Sequence, residues 1–160
     1  MSKIIVFSDS HGFSDNMMKA VQTERPGMLI FCGDGENDLL KIEKQYPELI
    51  VKKVCGNADQ YSSSPKTLCF AAYGKTFFVA HGNEHRVKRK EHSLEIMTAA
   101  MEKNADIVLH GHTHSTYTES TIGMNFMNPG TCKKCPDTTY GVIEIGSNLF
   151  NLSIKHISEI

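Results

Sequence analysis

The chain has 160 residues, 40% of them hydrophobic and 22% charged, with a formal net charge of −1. That length suits one domain over residues 1–160 with a core of its own, and the apolar fraction excludes disorder. Near-neutral charge excludes binding to nucleic acid through bulk electrostatics.

Short apolar strands alternate with helical patterns in the first half. Lys3–Phe7 reads as a buried strand. Ser14 reads as the N-cap of an amphipathic helix through about Thr23, which Pro26-Gly27 ends. Met28–Cys32 is a second strand, Asp38–Gln45 a helix stopping before Pro47, and Leu49–Val54 a third strand. This order predicts right-handed parallel crossovers. Thr67–Tyr73 and Thr76–Ala80 form a hairpin around Gly74-Lys75. His85–Asn104 predicts a long helix with Leu94, Met97 and Met101 as its buried stripe, and Ile107–His110 another strand. Ser115–Thr121, Met124–Met127, Tyr140–Ile145 and Leu149–Lys155 read as a C-terminal β-meander. The fold class expected is an α/β sandwich, two packed mixed sheets flanked by helices. The longest unbroken apolar run, Leu68–Tyr73, is far short of the roughly 18 residues of a spanning helix. Ser8-Asp9 interrupts the N-terminal apolar run before a signal-peptide core forms, so a cytoplasmic location is expected. The odd count of five cysteines fits reduced thiols.

Eight histidines stand out, and half of them are placed rather than scattered. Five strand ends carry a metal-competent side chain beside glycine: Ser8-Asp9-Ser10-His11-Gly12, Gly33-Asp34-Gly35, Gly56-Asn57, His81-Gly82 and Gly111-His112-Thr113-His114. Carboxyl ends of parallel strands lie along one edge, where ligand sites gather. Asp9, His11, Asp34, Asn57, His81, His112 and His114 can therefore converge. Imidazoles mixed with carboxylates and an amide suit Mn, Fe, Zn, Co or Ni. Seven ligands exceed the three or four of one zinc ion and fit two ions sharing a carboxylate. Paired ions about 3.5–4 Å apart serve phosphoryl chemistry, and their charge outweighs the two aspartates and a hydroxide, favouring an anionic substrate.

In this order the segments resemble the calcineurin-like metallophosphoesterases. Asn128-Pro129-Gly130-Thr131 is similar to the N-P-G-S segment of that superfamily's small bacterial and archaeal phosphodiesterase branch. The resemblance spans roughly residues 4–145. It implies that Asp9, His11, Asp34 and His114 hold one metal, that Asp34 bridges, and that Asn57, His81 and His112 complete the second. Asn57 would also touch the substrate phosphate as a catalytic residue. The activity implied is a phosphodiesterase on small or activated phosphodiesters, in which a metal-bridging hydroxide attacks phosphorus in line. The cofactors implied are two divalent ions, manganese first. The partner expected is a small phosphoester, with no membrane and no strong nucleic-acid signal, and with a homo-oligomer left open. A phosphomonoesterase and a non-catalytic scaffold of the same fold are the competing readings. Two departures matter: Ala58 stands where many members carry a histidine that assists the leaving group, and Asn83 where the branch often has a second histidine. Ala58 cannot donate a proton, so leaving groups that depart easily are favoured.

Three other patterns have plainer readings. His81-Gly82-Asn83-Glu84-His85 matches H-x-x-E-H, but that zinc motif needs both histidines on one helix. Cys132-Lys133-Lys134-Cys135 reads as a reduced surface loop. Arg86, Lys88, Arg89 and Lys90 read as a solvated helix face, with 86, 89 and 90 on one side able to attract an anionic substrate.

Overall fold

Strand β1 (Ser2–Phe7) shows how the layers arise. Successive side chains point to opposite faces. Ile4 and Val6 enter a core between two sheets, while Ile5 and Phe7 enter a second core beneath helices. All four are fully buried, which is why the run is apolar without alternation. The computed structural model describes every residue, Met1–Ile160.

From β1 the chain passes through α1 (Asp15–Glu24), β2 (Met28–Phe31), α2 (Leu39–Gln45) and β3 (Ile50–Lys53). β1, β2 and β3 are parallel neighbours. A hairpin follows, β4 (Thr67–Ala72) and β5 (Lys75–Ala80), then α3 (Leu94–Glu102) and β6 (Ile107–Leu109), which lies parallel to β5. Two more hairpins close the chain: β7 (Thr116–Thr121) with β8 (Met124–Pro129), and β9 (Thr139–Ile145) with β10 (Phe150–His156). The sheets read β10-β9-β1-β2-β3 and β4-β5-β6-β8-β7. Residues of both sheets, including Val6, Ile30, Val79, Leu109 and Ile143, make the central core. Helices α1 and α2 cover the outer face of the first sheet through Met17, Val21, Leu39 and Ile42, and α3 covers the second through Ile96 and Ala100. Two mixed sheets flanked by helices are the architecture expected, and no helix is long and apolar enough to cross a membrane.

Several local expectations are corrected. The long helix starts at Leu94, not His85, because Ser93 caps it: its Oγ accepts the Ile96 N–H at 3.1 Å and donates to the His85 carbonyl at 2.6 Å. The buried stripe is accordingly Ile96 and Ala100, while Leu94 is 67% and Met101 53% exposed. Arg86, Lys88, Arg89 and Lys90 therefore lie in a non-helical loop. Ser14 precedes α1, but its side chain makes no capping bond. The C-terminal strands are no single meander. β7 and β8 join the second sheet and β9 and β10 the first, with β8 parallel to β6. The β4–β5 turn is Tyr73-Gly74, both at positive φ, the geometry favoured by two-residue hairpins.

Candidate metal centre

The carboxyl ends of β1, β2 and β3 in one sheet and of β5 and β6 in the other meet at one edge of the sandwich. The loops that leave them carry all seven residues singled out above. Five of the seven have left-handed backbone: Asp9 (φ 57°), His11 (45°), Asp34 (62°), His112 (70°) and His114 (58°). The loops after β1, β2 and β6 thus turn sharply at the candidate donor residues themselves. The turns also need close backbone approach. A Cβ on Gly33, itself at φ 98°, would lie 2.7 Å from Gly56 N and 2.9 Å from His81 Nδ1. A Cβ on Gly56 would sit 2.1 Å from Asp34 Oδ1.

Two overlapping groups of donors result: Asp9, His11 and His114, and Asp9, Asp34 and His81, with the ligand atoms of each group within 4.8 Å of one another. Asp9 Oδ1 lies 3.1 Å from His114 Nε2, 3.6 Å from His11 Nε2 and 3.9 Å from His81 Nε2. Asp34 Oδ2 lies 3.2 Å from His81 Nε2 and 3.9 Å from His11 Nε2. His11 and His114 present their Nε2 atoms to each other at 3.1 Å. Asp9 thus belongs to both groups, and Asp34, a member of the second, also approaches His11 of the first. His112 joins neither group, although its ring stands 5.1 Å from that of His81. Asn57 is exposed at the rim.

The donor atoms fit divalent cations. Asp9 Oδ1 and His81 Nε2 are buried and have no hydrogen-bond partner; the 3.2 Å approach of His81 to Asp34 lacks hydrogen-bond alignment. Unpartnered buried polar atoms are costly and rare. His81 donates Nδ1–H to the Cys32 carbonyl at 2.8 Å, which aims Nε2 at the carboxylates. That is how a histidine is oriented for a metal. Burial works against a charged His81, yet Asp34 and Asp9 hold its pKa above the ordinary value. Burial works against the charged form of Asp34 too, and His81, the Ala58 N–H and His11 nevertheless hold its pKa low. Burial and neighbouring His81 lower the pKa of His112. His110, fully enclosed behind the site, is pushed down to about 4 chiefly by burial.

The supporting residues are less visible in sequence. The Asp59 carboxylate accepts four backbone N–H groups, from Asp34 and Gly56 on one oxygen and from Gly35 and Glu36 on the other, at 2.8–2.9 Å. Asp34 Oδ1 in return accepts the Ala58 N–H at 2.8 Å. The Asp34 and Asn57 loops are thereby buckled together. Asp38 holds the His11 loop, accepting Ser10 Oγ–H at 2.5 Å and Gly12 N–H at 2.8 Å. Asp9 Oδ2 accepts Ser8 Oγ–H at 2.5 Å and His112 N–H at 3.0 Å, leaving Oδ1 bare. Asn128 donates to the Gly111 carbonyl and Thr113 Oγ1, and Thr131 donates to the Asp9 carbonyl at 2.7 Å. The Asn128–Thr131 segment ties the loops after β1 and β6 together.

The remaining motifs take different parts. His81 and His85 share no helix, so the H-x-x-E-H match has no metalloprotease geometry. Cys132 is fully buried, not part of a surface loop as expected. Its N–H and Sγ–H both point at the Ser8 carbonyl, at 3.1 and 3.2 Å, and burial raises its thiol pKa well above the ordinary value.

Residues 2–148 match the family model of the calcineurin-like phosphoesterase superfamily domain. The chain belongs to this superfamily. As a calcineurin-like phosphoesterase domain it is similar to the probable metallophosphoesterase YsnB of Bacillus subtilis, 28% identical over 136 residues that cover 81% of this chain and 75% of that one. Its fold matches a conserved predicted phosphoesterase of Streptococcus pneumoniae, with TM-score 0.79 and 24% identity over 98% of this chain and 90% of that one. Vps29 of Entamoeba histolytica, solved with zinc, matches with TM-score 0.72 and 17% identity, covering 97% and 99%. An archaeal phosphodiesterase matches with TM-score 0.68 and 21% identity, covering 96% and 99%. The superfamily joins metal-dependent phosphoester hydrolysis to the fold, and the buried donors described above are where this domain would hold its metals.

Proposed function

We propose that this calcineurin-like phosphoesterase is a dimetal-dependent phosphodiesterase acting on small or activated phosphodiesters, with manganese as the working ion. The carrying observation is the pair of buried, unpartnered atoms, Asp9 Oδ1 and His81 Nε2, at the meeting point of five strand-end loops. Asp9, His11 and His114 would hold one ion and Asp34, His81, His112 and Asn57 the other, with a carboxylate between them. The chemistry that paired divalent ions supply when bound is a lowered pKa for water and a clamp on phosphoryl oxygens.

The chain's own residues do the rest. Asp59 and Asp38 fix the two carboxylate-bearing loops before substrate arrives, so little reorganisation is left for the reaction. Exposed Asn57 would donate its amide N–H to a phosphoryl oxygen. Ala58 supplies no proton to a departing alkoxide, which favours phenolates and other stable leaving groups. The archaeal phosphodiesterase among the structural neighbours supports a diester over a monoester.

The test is hydrolysis of bis(para-nitrophenyl) phosphate and of the corresponding monoester by purified protein, with manganese, iron, zinc, cobalt and nickel in turn. Diester turnover above monoester turnover, requiring added metal, is expected. Inactivity on every diester with every metal would overturn the reading. The likeness to Vps29 favours the second reading, a binding scaffold, which the same inactivity would leave standing.

A further inference from the structure

β8 is a sixth strand feeding the edge where the metal donors gather, since it runs parallel to β6, which runs parallel to β5. The loop after it, 130–138, is bound directly to the donor-bearing loop after β1. Thr131 Oγ1 bonds the Asp9 carbonyl and Cys132 bonds the Ser8 carbonyl twice. Asn16 Nδ2 reaches the carbonyls of Cys132 and Lys133 at 3.2 Å, and Thr138 Oγ1 donates within the loop. The buried cysteine is thus an anchor, and the two residues after it are lysines. Lys134 extends its ammonium to 5.9 Å above the ring of Phe13, two positions past His11. Neither Lys133 nor Lys134 has a carboxylate within ion-pair distance.

The flank beside His81 and His112 is built alike. Buried Val87 packs on Gly82, the residue after His81, and its N–H bonds the Gly82 carbonyl. Around that fixed point Lys88, Arg89 and Lys90 are exposed and without ion-pair partners. Several carboxylates nearby are already engaged: Asp59 by four N–H groups, Asp38 by Ser10 and Gly12, Glu36 by Ser62 and Ser64, and Glu84 by Lys66. Exposed Glu91 and Asp137 are not, and the unpaired cations Lys88, Arg89, Lys90, Lys133 and Lys134 outnumber them. Near-neutral bulk charge thus conceals a local excess of unpaired cations in the loops after β5 and β8, on either side of the donor-bearing edge. The Asn57 loop adds Tyr61, fully exposed and held at φ 65°. Interleaved cations and exposed aromatic rings are what a chain of nucleotides requires, phosphates on the cations and bases on the rings.

Resting on the phosphodiesterase reading, we propose that the substrate is a nucleotide phosphodiester carrying at least one phosphate beyond the scissile one. Lys133 and Lys134 hold a phosphate on one flank, Lys88, Arg89 and Lys90 on the other, and Tyr61 stacks a base. Hydrolysis adds one water across the ester: the water oxygen bonds phosphorus, the P–O bond to the departing nucleoside breaks, and that oxygen takes a proton. The substrate chemistry has two sources, a short terminally phosphorylated dinucleotide and a longer single-stranded oligonucleotide.

The experiment compares kcat/KM for both nucleotide substrates with that for bis(para-nitrophenyl) phosphate, across a salt series, in the metal-loaded protein. Lys133→Ala/Lys134→Ala and Arg89→Ala/Lys90→Ala are each expected to lower the nucleotide-to-aryl ratio by about tenfold or more. Every phosphate that loses its cation in these variants should reduce the slope of log KM against log salt by about 0.7. Tyr61→Ala should raise the nucleotide KM roughly tenfold. Lys103→Ala, on the far end of α3, should leave the ratio alone. If the oligonucleotide responds on both flanks and the dinucleotide on one, the longer chain is the substrate; equal response of both identifies the dinucleotide. Aryl diester turnover without nucleotide turnover, or an unchanged ratio in both double variants, overturns this inference and spares the phosphodiesterase reading. Loss of all diester turnover in the parent protein overturns both.

Discussion

Two buried carboxylates, Glu24 and Asp9, occupy opposite situations in this molecule. Glu24, in the last turn of α1, is enclosed by three donors: Lys155 Nζ at 2.6 Å, Lys3 Nζ at 2.9 Å and Tyr140 Oη at 3.0 Å. Burial alone would raise its pKa, but the two lysines and the tyrosine bring it below the usual value. Asp9, in the loop that precedes α1, is buried at least as deeply, yet one of its oxygens meets only imidazoles and another carboxylate. Glu24 is complete within the chain. Asp9 instead presents a bare oxygen to three imidazoles, and that convergence of donors, beyond burial or charge count, is what sets a candidate ligand site apart from a structural polar cluster.

Substitutions can sharpen the contrast. The largest effect is expected at Asp34→Ala, which removes a carboxylate facing both donor groups. Metal-dependent diester turnover should fall by at least about a thousandfold, since metal-borne charge stabilisation is worth several kcal/mol. Glu24→Gln should do the reverse, leaving turnover per folded molecule intact while lowering unfolding free energy in urea by about 3 kcal/mol. That is the low end for a broken buried pair, because both lysines stay partly in water. This effect has a predictable pH sign. A glutamate with lowered folded pKa contributes its full stability above its unfolded pKa and loses it as pH falls through the folded one. The gap between parent and Glu24→Gln should therefore close only below the usual glutamate range.

Metal addition should distinguish the regions again. Manganese at about a hundred times its dissociation constant stabilises a one-site folded protein by about 2.7 kcal/mol. Thermal melts should show at least that increment, one for each ion held, in the parent and in Glu24→Gln, and little of it in Asp9→Asn. Asp59→Asn should act between the extremes. Its side chain touches no donor atom, yet it fixes the Asp34 and Asn57 loops, and loss of such support typically costs about 10–100-fold in metal affinity or activity. Metal titration by calorimetry, with Asp59→Glu as a partial rescue, would check it. Ser93→Ala should be mildest, about 1 kcal/mol from the lost cap of α3, with metal binding unchanged.

The parts legible in sequence were those where chemistry and backbone need coincide at one position. Asp34 between two glycines and His81 before one combine a strand end, a tight turn and a donor atom, and three-dimensional proximity follows once the strands are parallel. Asp59 and Asp38 carry no such mark. They bond backbone N–H groups of residues that become neighbours only when loops after different strands meet, and any aspartate in a turn looks the same. The start of α3 was missed for a related reason. His85–Ser93 has helix-compatible residues, and Ser93 acts as a cap because its hydroxyl also finds the His85 carbonyl. The parallel placement of β8 was hidden as well, since the β7–β8 hairpin is local while its pairing with β6 is not. Cys132 reads as part of a surface loop because spacing reports partners along the chain and says nothing of the Ser8 carbonyl, 124 positions earlier.

The left-handed backbone at Asp9, His11, Asp34, His112 and His114 bears on how such a domain can change over generations. Each position asks an L-residue to hold a conformation that glycine adopts freely, at a cost of about 1 kcal/mol apiece. The residues most useful to the chemistry are therefore also a standing load on folding. A lineage that ceased to need the reaction would meet no resistance from the fold in shedding them, and replacement by glycine would leave a sturdier domain.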